Sequence, residues 1–284
     1  MPVPYADALD DACTQASEKS STLLSAPIRF FTQAMLAGAF VGVAVVLMVS
    51  TAGPLAAAGS PATKLVQGTV FGIALTLVVF AGAELFTSNN MTMLIGWLRG
   101  RANAAQAIGV NLAALIGNFA GSLLFAAIVN ASGVLNTSVK GKPPAGAGMI
   151  ATIVAGKVGA TDGQLFWRAV LCNMLVCLGI WMAMRTKNDA AKLVVLFWVL
   201  MAFISSGFEH SIANMTIFAL AIFQHTATWG QFGHNLLLTV PGNLVGGALV
   251  VGLPYAFSSG RRSEAPAEIT VPDAAVPVPA SAAA

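Results

Sequence analysis

Gly207-Phe208-Glu209-His210-Ser211-Ile212-Ala213-Asn214 puts a carboxylate, an imidazole and an amide inside an apolar segment. From Leu193 to Phe223 the chain carries no charged side chain except Glu209, with His210 beside it. Such groups are expensive in hydrocarbon, so a chain that keeps them there turns them toward a protein-lined or wet cavity. Ser205-Ser206-Gly207 supplies what a helix needs to break and turn at this point.

The stretch has a counterpart upstream. Gly82-Ala83-Glu84-Leu85-Phe86-Thr87 is again a Gly-x-Glu within a long apolar run, and Gly117-Asn118-Phe119-Ala120-Gly121 is echoed by Gly242-Asn243-Leu244-Val245-Gly246. Gly82 and Gly207, Glu84 and Glu209, Gly117 and Gly242, Asn118 and Asn243, and Gly121 and Gly246 all stand 125 residues apart. One offset covering both buried-looking carboxylates indicates an internal duplication, with Glu84 and Glu209 equivalent.

The 284 residues are 57% hydrophobic and only 9% charged, where a soluble domain carries about a quarter charged. The chain therefore reads as an integral all-α membrane protein. A net charge of +3 spread over loop edges gives no footprint for nucleic acid. Cys13, Cys172 and Cys177 form neither a disulfide framework nor a metal cluster, and no cofactor motif is present. The start of the chain is polar and mixed in charge, unlike a signal peptide.

Three regions follow. Residues 1–27 are expected to hold an amphipathic helix at the cytoplasmic membrane surface. Residues 28–257 form the transmembrane domain, with repeats over about 28–130 and 165–257, and 258–284 an Ala/Pro-rich disordered cytoplasmic tail. Six membrane segments are expected. The second, Leu65 to Leu98, and the fifth, Lys192 to Phe223, are too long for one crossing and too short for two with a turn. Each is read as a broken helix, the first with an irregular loop from Phe86 through Asn90. Residues 131–164 read as a long Gly/Pro/Ala-rich connection. Three spans per repeat is odd, so the halves are inverted, as in aquaporins. Lys and Arg at the loops divide nine to five in favour of the side carrying both termini, which places them in the cytoplasm.

Ala83-Glu84-Leu85-Phe86-Thr87-Ser88 and Ser206-Gly207-Phe208-Glu209-His210-Ser211-Ile212-Ala213-Asn214-Met215 resemble the signatures of the formate/nitrite transporter family. The run from Cys172 to Ala183, Thr216 to Leu220 and Gly233 to Leu237 are similar too, particularly to its bacterial nitrite-channel branch. The resemblance covers roughly residues 5–257. It implies a homopentamer in the bacterial inner membrane, each protomer with its own pore for nitrite, formate and similar small anions. It implies that Phe86 and Thr87 gate, that Leu75, Leu85, Val176 and Phe203 are apolar constrictions, that Asn173 and Asn243 are pore-facing amides, and that Lys157 is a vestibule lysine.

Each residue also has a plainer reading. His210 also reads as a packed histidine donating to a backbone carbonyl, but its place beside Glu209 in a broken helix favours function. Glu84 and Glu209 read as scaffold, accepting from exposed loop amides and facing away from an anion's route. Asn118 and Asn243 fit helix-packing glue, and Thr87 fits a helix cap. Lys157 is expected in an exposed loop. A neutral-solute channel of aquaporin type is the competing reading, although no Asn-Pro-Ala pair or filter arginine is present. A membrane enzyme is a third, without a second membrane histidine at ligand spacing.

Overall fold

The computed structural model describes residues 2–138, 141 and 143–258. Lys140, Lys142, Arg261, Arg262 and the expected tail beyond Ser258 lie outside them. Among the described residues the regular structure is helical throughout: α1 Tyr5–Ser25, α2 Pro27–Ala57, α3 Thr63–Phe71, α4 Ile73–Phe80, α5 Phe86–Leu98, α6 Ala104–Ser132, α7 Ala145–Val158, α8 Asp162–Met184, α9 Asp189–Ser205, α10 Ser211–Phe223, α11 Trp229–Leu244, a π-helical continuation Val245–Gly252, and α12 Leu253–Ser258. Long apolar runs can hide their backbone polar groups in lipid only by pairing them within a helix. Among the described residues, five stretches are long and apolar enough to cross a membrane: Pro27–Ala57, Thr63–Phe80, Ala104–Ser132, Asp162–Met184 and Trp229–Ser258.

Local chemistry sets the starts. Asn103 with Gln106, Thr161 with Gln164 and Thr228 with Gln231 form reciprocal capping boxes that open α6, α8 and α11. Glycine sets the close crossings. A Cβ on Gly121 would collide with the Met35 carbonyl, locking α6 on α2, and one on Gly246 would collide with the Val170 carbonyl on α8. Gly121 and Gly246, 125 residues apart, thus serve the same close approach.

Between α4 and α5, and between α9 and α10, the helix is interrupted for five residues, Ala81 to Leu85 and Ser206 to His210. Gly82 and Gly207 both take φ +74°, and a Cβ on either would meet nothing within 4 Å, so it is the left-handed backbone that asks for glycine there. The first interruption falls earlier than the expected loop over Phe86–Asn90, whose residues instead open α5. Their Thr, Ser and Asn are poor helix formers, but Phe86, Thr87, Asn89 and Asn90 are buried among neighbouring helices, and that burial overrides propensity. The connection over 131–164 likewise contains a helix, α7, whose glycines and alanines disguised it.

α1 is tied to the bundle. Ala8, Leu9, Ala12, Cys13 and Ala16 form its buried face. The Val3 N–H donates to the Arg185 carbonyl (2.8 Å), and the Arg185 guanidinium lies over Tyr5 at 4.2 Å. Tyr5 meets Trp181 and Tyr255, which stack on each other at 4.2 Å.

Candidate functional site: two breaks and a buried crossing

Backbone exposed by a break must find partners in a dry interior. Asn118 on α6 supplies them at the first: its Nδ2 donates to the carbonyls of Ala34 (2.8 Å) and Glu84 (2.8 Å), and its Oδ1 accepts from the Phe86 N–H (2.9 Å). Asn243 on α11 does the same at the second, donating to Ala169 (2.8 Å) and Glu209 (2.9 Å) and accepting from the Ser211 N–H (2.9 Å). Both are fully buried. Asn243 was expected to face a pore; its amide is committed to this brace instead.

The glutamates are consequently free for a different task from the one expected. Their carboxylates do not take the loop amides: those of Ala83, Glu84, Phe208 and Glu209 donate to the carbonyls of Val78, Gln33, Phe203 and Arg168, and those of Phe86 and Ser211 to the asparagines. Glu84 accepts from Lys19 Nζ (2.7 and 2.6 Å) and from Asn89 Nδ2 (3.2 Å). Glu209 Oε2 accepts from Lys157 Nζ (2.7 Å) and from Asn214 Nδ2 (2.7 Å). Lys157 is thus not in an exposed loop: it ends α7, with its side chain 12% exposed against Glu209 at 4%. The Lys19–Glu84 pair is wetter, at 16% and 15%.

His210 is the N-cap of α10. Its Nδ1 accepts from the Ala213 N–H (3.1 Å), and its Nε2 lies 3.2 Å from Thr87 Oγ1 on α5. An Nδ1 that accepts carries no proton, so the neutral ring has its hydrogen on Nε2, pointed at Thr87. The ring stacks on Phe203 at 5.8 Å and 14°. Leu75, Leu85, Phe86, Val176 and Phe203 are all buried in one continuous apolar core around this crossing. The Thr87 carbonyl accepts from Asn173 Nδ2 (3.1 Å) and Cys177 Sγ (3.3 Å), and Asn173 Nδ2 also donates to the Asn243 carbonyl (2.6 Å). Asn173 Oδ1 is buried without a partner. Gly247 lets the π-helical turn approach Asn173, Cys177 and Asn90 closely.

Cavities open at opposite ends of α8. One of about 610 Å³, lined by Lys19, Glu84 and Ser88 among others, lies at its Ala183–Met184 end. The other, about 220 Å³ and lined by Lys157, His234 and Asn235, lies at its Leu165 end. The structure therefore gathers His210 and Thr87 at a dry crossing, Glu84 with Lys19 toward one cavity and Glu209 with Lys157 toward the other.

Lys19, Asn89 and Asn235 belong to these networks without having been singled out in the sequence, and Asn214, the amide of the opening stretch, gains its partners only in the structure. Asn89 and Asn214 share the 125-residue spacing and were open to discovery that way. Lys19 and Lys157 stand 138 apart, and Ala34 and Ala169 stand 135 apart, because the connecting segments of the halves differ in length. One fixed spacing cannot find them.

The family model described as Formate/nitrite transporter matches residues 6–257. The nitrite transporter NirC of Salmonella typhimurium is 35% identical over 275 residues, covering 95% of this chain and 98% of that protein. The probable formate transporter of Methanothermobacter thermautotrophicus is 38% identical over 263 residues, covering 87% of this chain and 94% of that protein. Among solved structures, an FNT family ion channel superposes with a TM-score of 0.82 at 34% identity, over 90% of this chain and all of the other. A pentameric formate channel with formate bound gives 0.68 at 28% identity, over 80% and 95%. These likenesses leave the aquaporin-type reading without support, and the family is one of transporters and channels rather than enzymes. The chain belongs to the formate/nitrite transporter family.

Proposed function

We propose that the protein is a channel for small monovalent anions, nitrite foremost, with formate-like anions also passing, in a bacterial inner membrane with both ends cytoplasmic. In this reading it assembles as a homopentamer, each protomer built from two inverted three-helix repeats with broken second and fifth segments. The observation that carries it is the His210–Thr87 crossing: one titratable ring, buried in an apolar waist, with a cavity toward each end of α8 that is lined in part by a lysine.

The waist is the barrier. Full burial of a bare charge costs on the order of 20 kcal/mol in the idealised limit. α5 and α10 both begin there, and a helix start presents backbone N–H groups that favour an anion. Asn118 and Asn243 take only the first N–H of each, Phe86 and Ser211. Thr87 and the Nε2–H of His210 add side-chain donors. In the conformation described, His210 serves as a neutral hydrogen-bond donor. Charging the ring puts a proton on Nδ1 and ends the bond from the Ala213 N–H, so any proton handed to the anion costs α10 its cap. Protonation and the geometry of the α10 start are then one event.

The test is nitrite flux into liposomes from pH 5 to 8. His210→Asn keeps a good capping side chain but cannot titrate, so flux should lose its pH dependence while the assembly stays folded. His210→Phe removes both donor and cap and should block passage. An asparagine variant with the wild-type pH profile would reduce His210 to a structural cap.

A further inference from the structure

Past its start, α5 has two different faces. Ser88 and Thr92 line the cavity of about 610 Å³. Asn90, midway between them in the sequence, stands roughly half a turn round the helix from each, on the side away from that cavity. There it is 1% exposed, and both its Nδ2 and its Oδ1 are buried without a partner among the described residues.

A further unpaired atom lies beside it. A Cβ on Gly247 would collide with Asn173 Nδ2 and come within 2.8 Å of Cys177 Sγ and 3.0 Å of Asn90 Cβ, so these three side chains converge on one point of the π-helical turn. The Asn173 amide is fixed in direction. Its Nδ2 donates to the carbonyls of Thr87 (3.1 Å) and Asn243 (2.6 Å), and an oxygen in its place would face two oxygens. Asn173 Oδ1 is therefore an acceptor, and it too has no partner among the described residues. Buried polar atoms ordinarily find partners, and here three of them gather in one place. The other half does without the amide: by the 125-residue spacing Asn90 corresponds to Met215, 1% exposed on α10. The repeated frame itself does not ask for an asparagine at this position.

We infer that Asn90 and Asn173 hold buried water beside the π-helical turn, and that this water positions Thr87 at the crossing. An anion here would face two oxygens against one NH2, and a cation would face that NH2; water serves both. It accepts from Asn90 Nδ2 and donates to Asn173 Oδ1, and its other hydrogen reaches Asn90 Oδ1 directly or through a second water. Asn173 then holds the Thr87 carbonyl by its nitrogen and the water by its oxygen, while Asn90 returns the chain of bonds to α5 one turn further on. The start of α5 is clamped to α8 from behind, which sets where the Thr87 hydroxyl meets His210 Nε2 at 3.2 Å. Asn90 is thus a positioning residue, acting on the crossing through the water and Asn173. What the clamp is for rests on the anion-channel reading; the water site does not.

The experiment uses the purified full-length assembly. Brief X-ray irradiation splits water into hydroxyl radicals, which oxidise a buried side chain where water sits beside it, and mass spectrometry reads the product. In the wild type Cys177 should be oxidised well above Met93, which is equally buried on α5 but lies in the apolar core. Asn90→Val and Asn90→Thr have nearly one shape and differ by a hydroxyl. The threonine variant should keep the Cys177 oxidation and the valine variant should lose it. In liposomes Asn90→Val should lower maximal nitrite flux about fivefold, the worth of one hydrogen bond, at unchanged half-saturation. Asn90→Thr should restore most of that flux. Wild-type oxidation of Cys177 no higher than that of Met93 overturns the water site, whatever the variants do. Equal flux in the two variants reduces Asn90 to packing and overturns the clamp, and so does a loss that shows only as raised half-saturation. The expected oxidation pattern in a wild type that conducts no nitrite keeps the water site and overturns the channel reading.

Discussion

At the break after α4, Gly82 turns the chain, Asn118 braces it, and Lys19 and Asn89 hold Glu84; at the break after α9, Gly207, Asn243, Lys157 and Asn214 repeat the arrangement around Glu209. The difference lies in the residues that meet between the breaks. His210 stands where the first half has Leu85, and Thr87 where the second has Ile212. The 3.2 Å contact of His210 with Thr87 therefore joins two positions that are not each other's equivalents. The frame of glycine, asparagine, glutamate and lysine occurs twice, whereas the polar crossing occurs once. A frame that pairs its own backbone groups leaves the crossing residues free to change.

The braces should give the largest loss, and equally in both halves. Asn243→Leu leaves the Ser211 N–H and the Glu209 carbonyl without partners, while the Ala169 carbonyl keeps its helical bond within α8. At about 1–3 kcal/mol for each buried group left unpaired, the cost of the two is roughly 2–6 kcal/mol. Asn118→Leu should match it. Thermal unfolding of the detergent-solubilised assembly reads both, and a large loss at one asparagine alone would break the equivalence of the frames.

The lysines come next, and here the halves should differ. Removing one partner of a buried pair costs about 3–5 kcal/mol, because a bare charge is left behind. Lys157→Met abandons Glu209 at 4% exposure and should approach that range; Lys19→Met abandons Glu84 at 15% and should cost less. Neutralising the orphan, by adding Glu209→Gln to Lys157→Met, should restore most of the stability. A Lys157→Met protein as stable as the wild type would place the lysine's role wholly in the anion path.

The sequence carried this comparison unevenly. Glu84, Glu209, Asn118, Asn243 and both turning glycines share one spacing, and a charge inside an apolar run announces itself. What it does with its partners does not. The Glu–Lys pairs join segments from outside the spacing, and the polarity of the asparagine braces follows from which backbone groups the breaks expose. The start of α5 was hidden for another reason: its Thr-Ser-Asn-Asn run reads as loop by propensity, and only its burial makes it helix. α7 was masked by its glycines in the same way. Asn235 carried no mark, since its partner Asn214 lies 21 residues away on another helix.

The smallest effect tests how far the equivalence of the two halves extends. Asn235 in the second half corresponds by spacing to Val110 in the first, which is fully buried on α6. Asn214 donates to both Glu209 and Asn235, whereas its counterpart Asn89 donates to Glu84 and has an Oδ1 buried without a partner. A buried asparagine put in place of valine ordinarily costs about 1–3 kcal/mol when nothing receives it. If the halves match here, an asparagine at 110 finds the amide of Asn89 and the two groups satisfy each other. Val110→Asn should then cost less than about 1 kcal/mol and leave nitrite flux unchanged, because the crossing is untouched. A loss near the top of the unpaired range, read by the same thermal unfolding, would mean that the shared frame ends at the glutamates. Asn235 would then belong to the Lys157 mouth alone, with no counterpart in the first half.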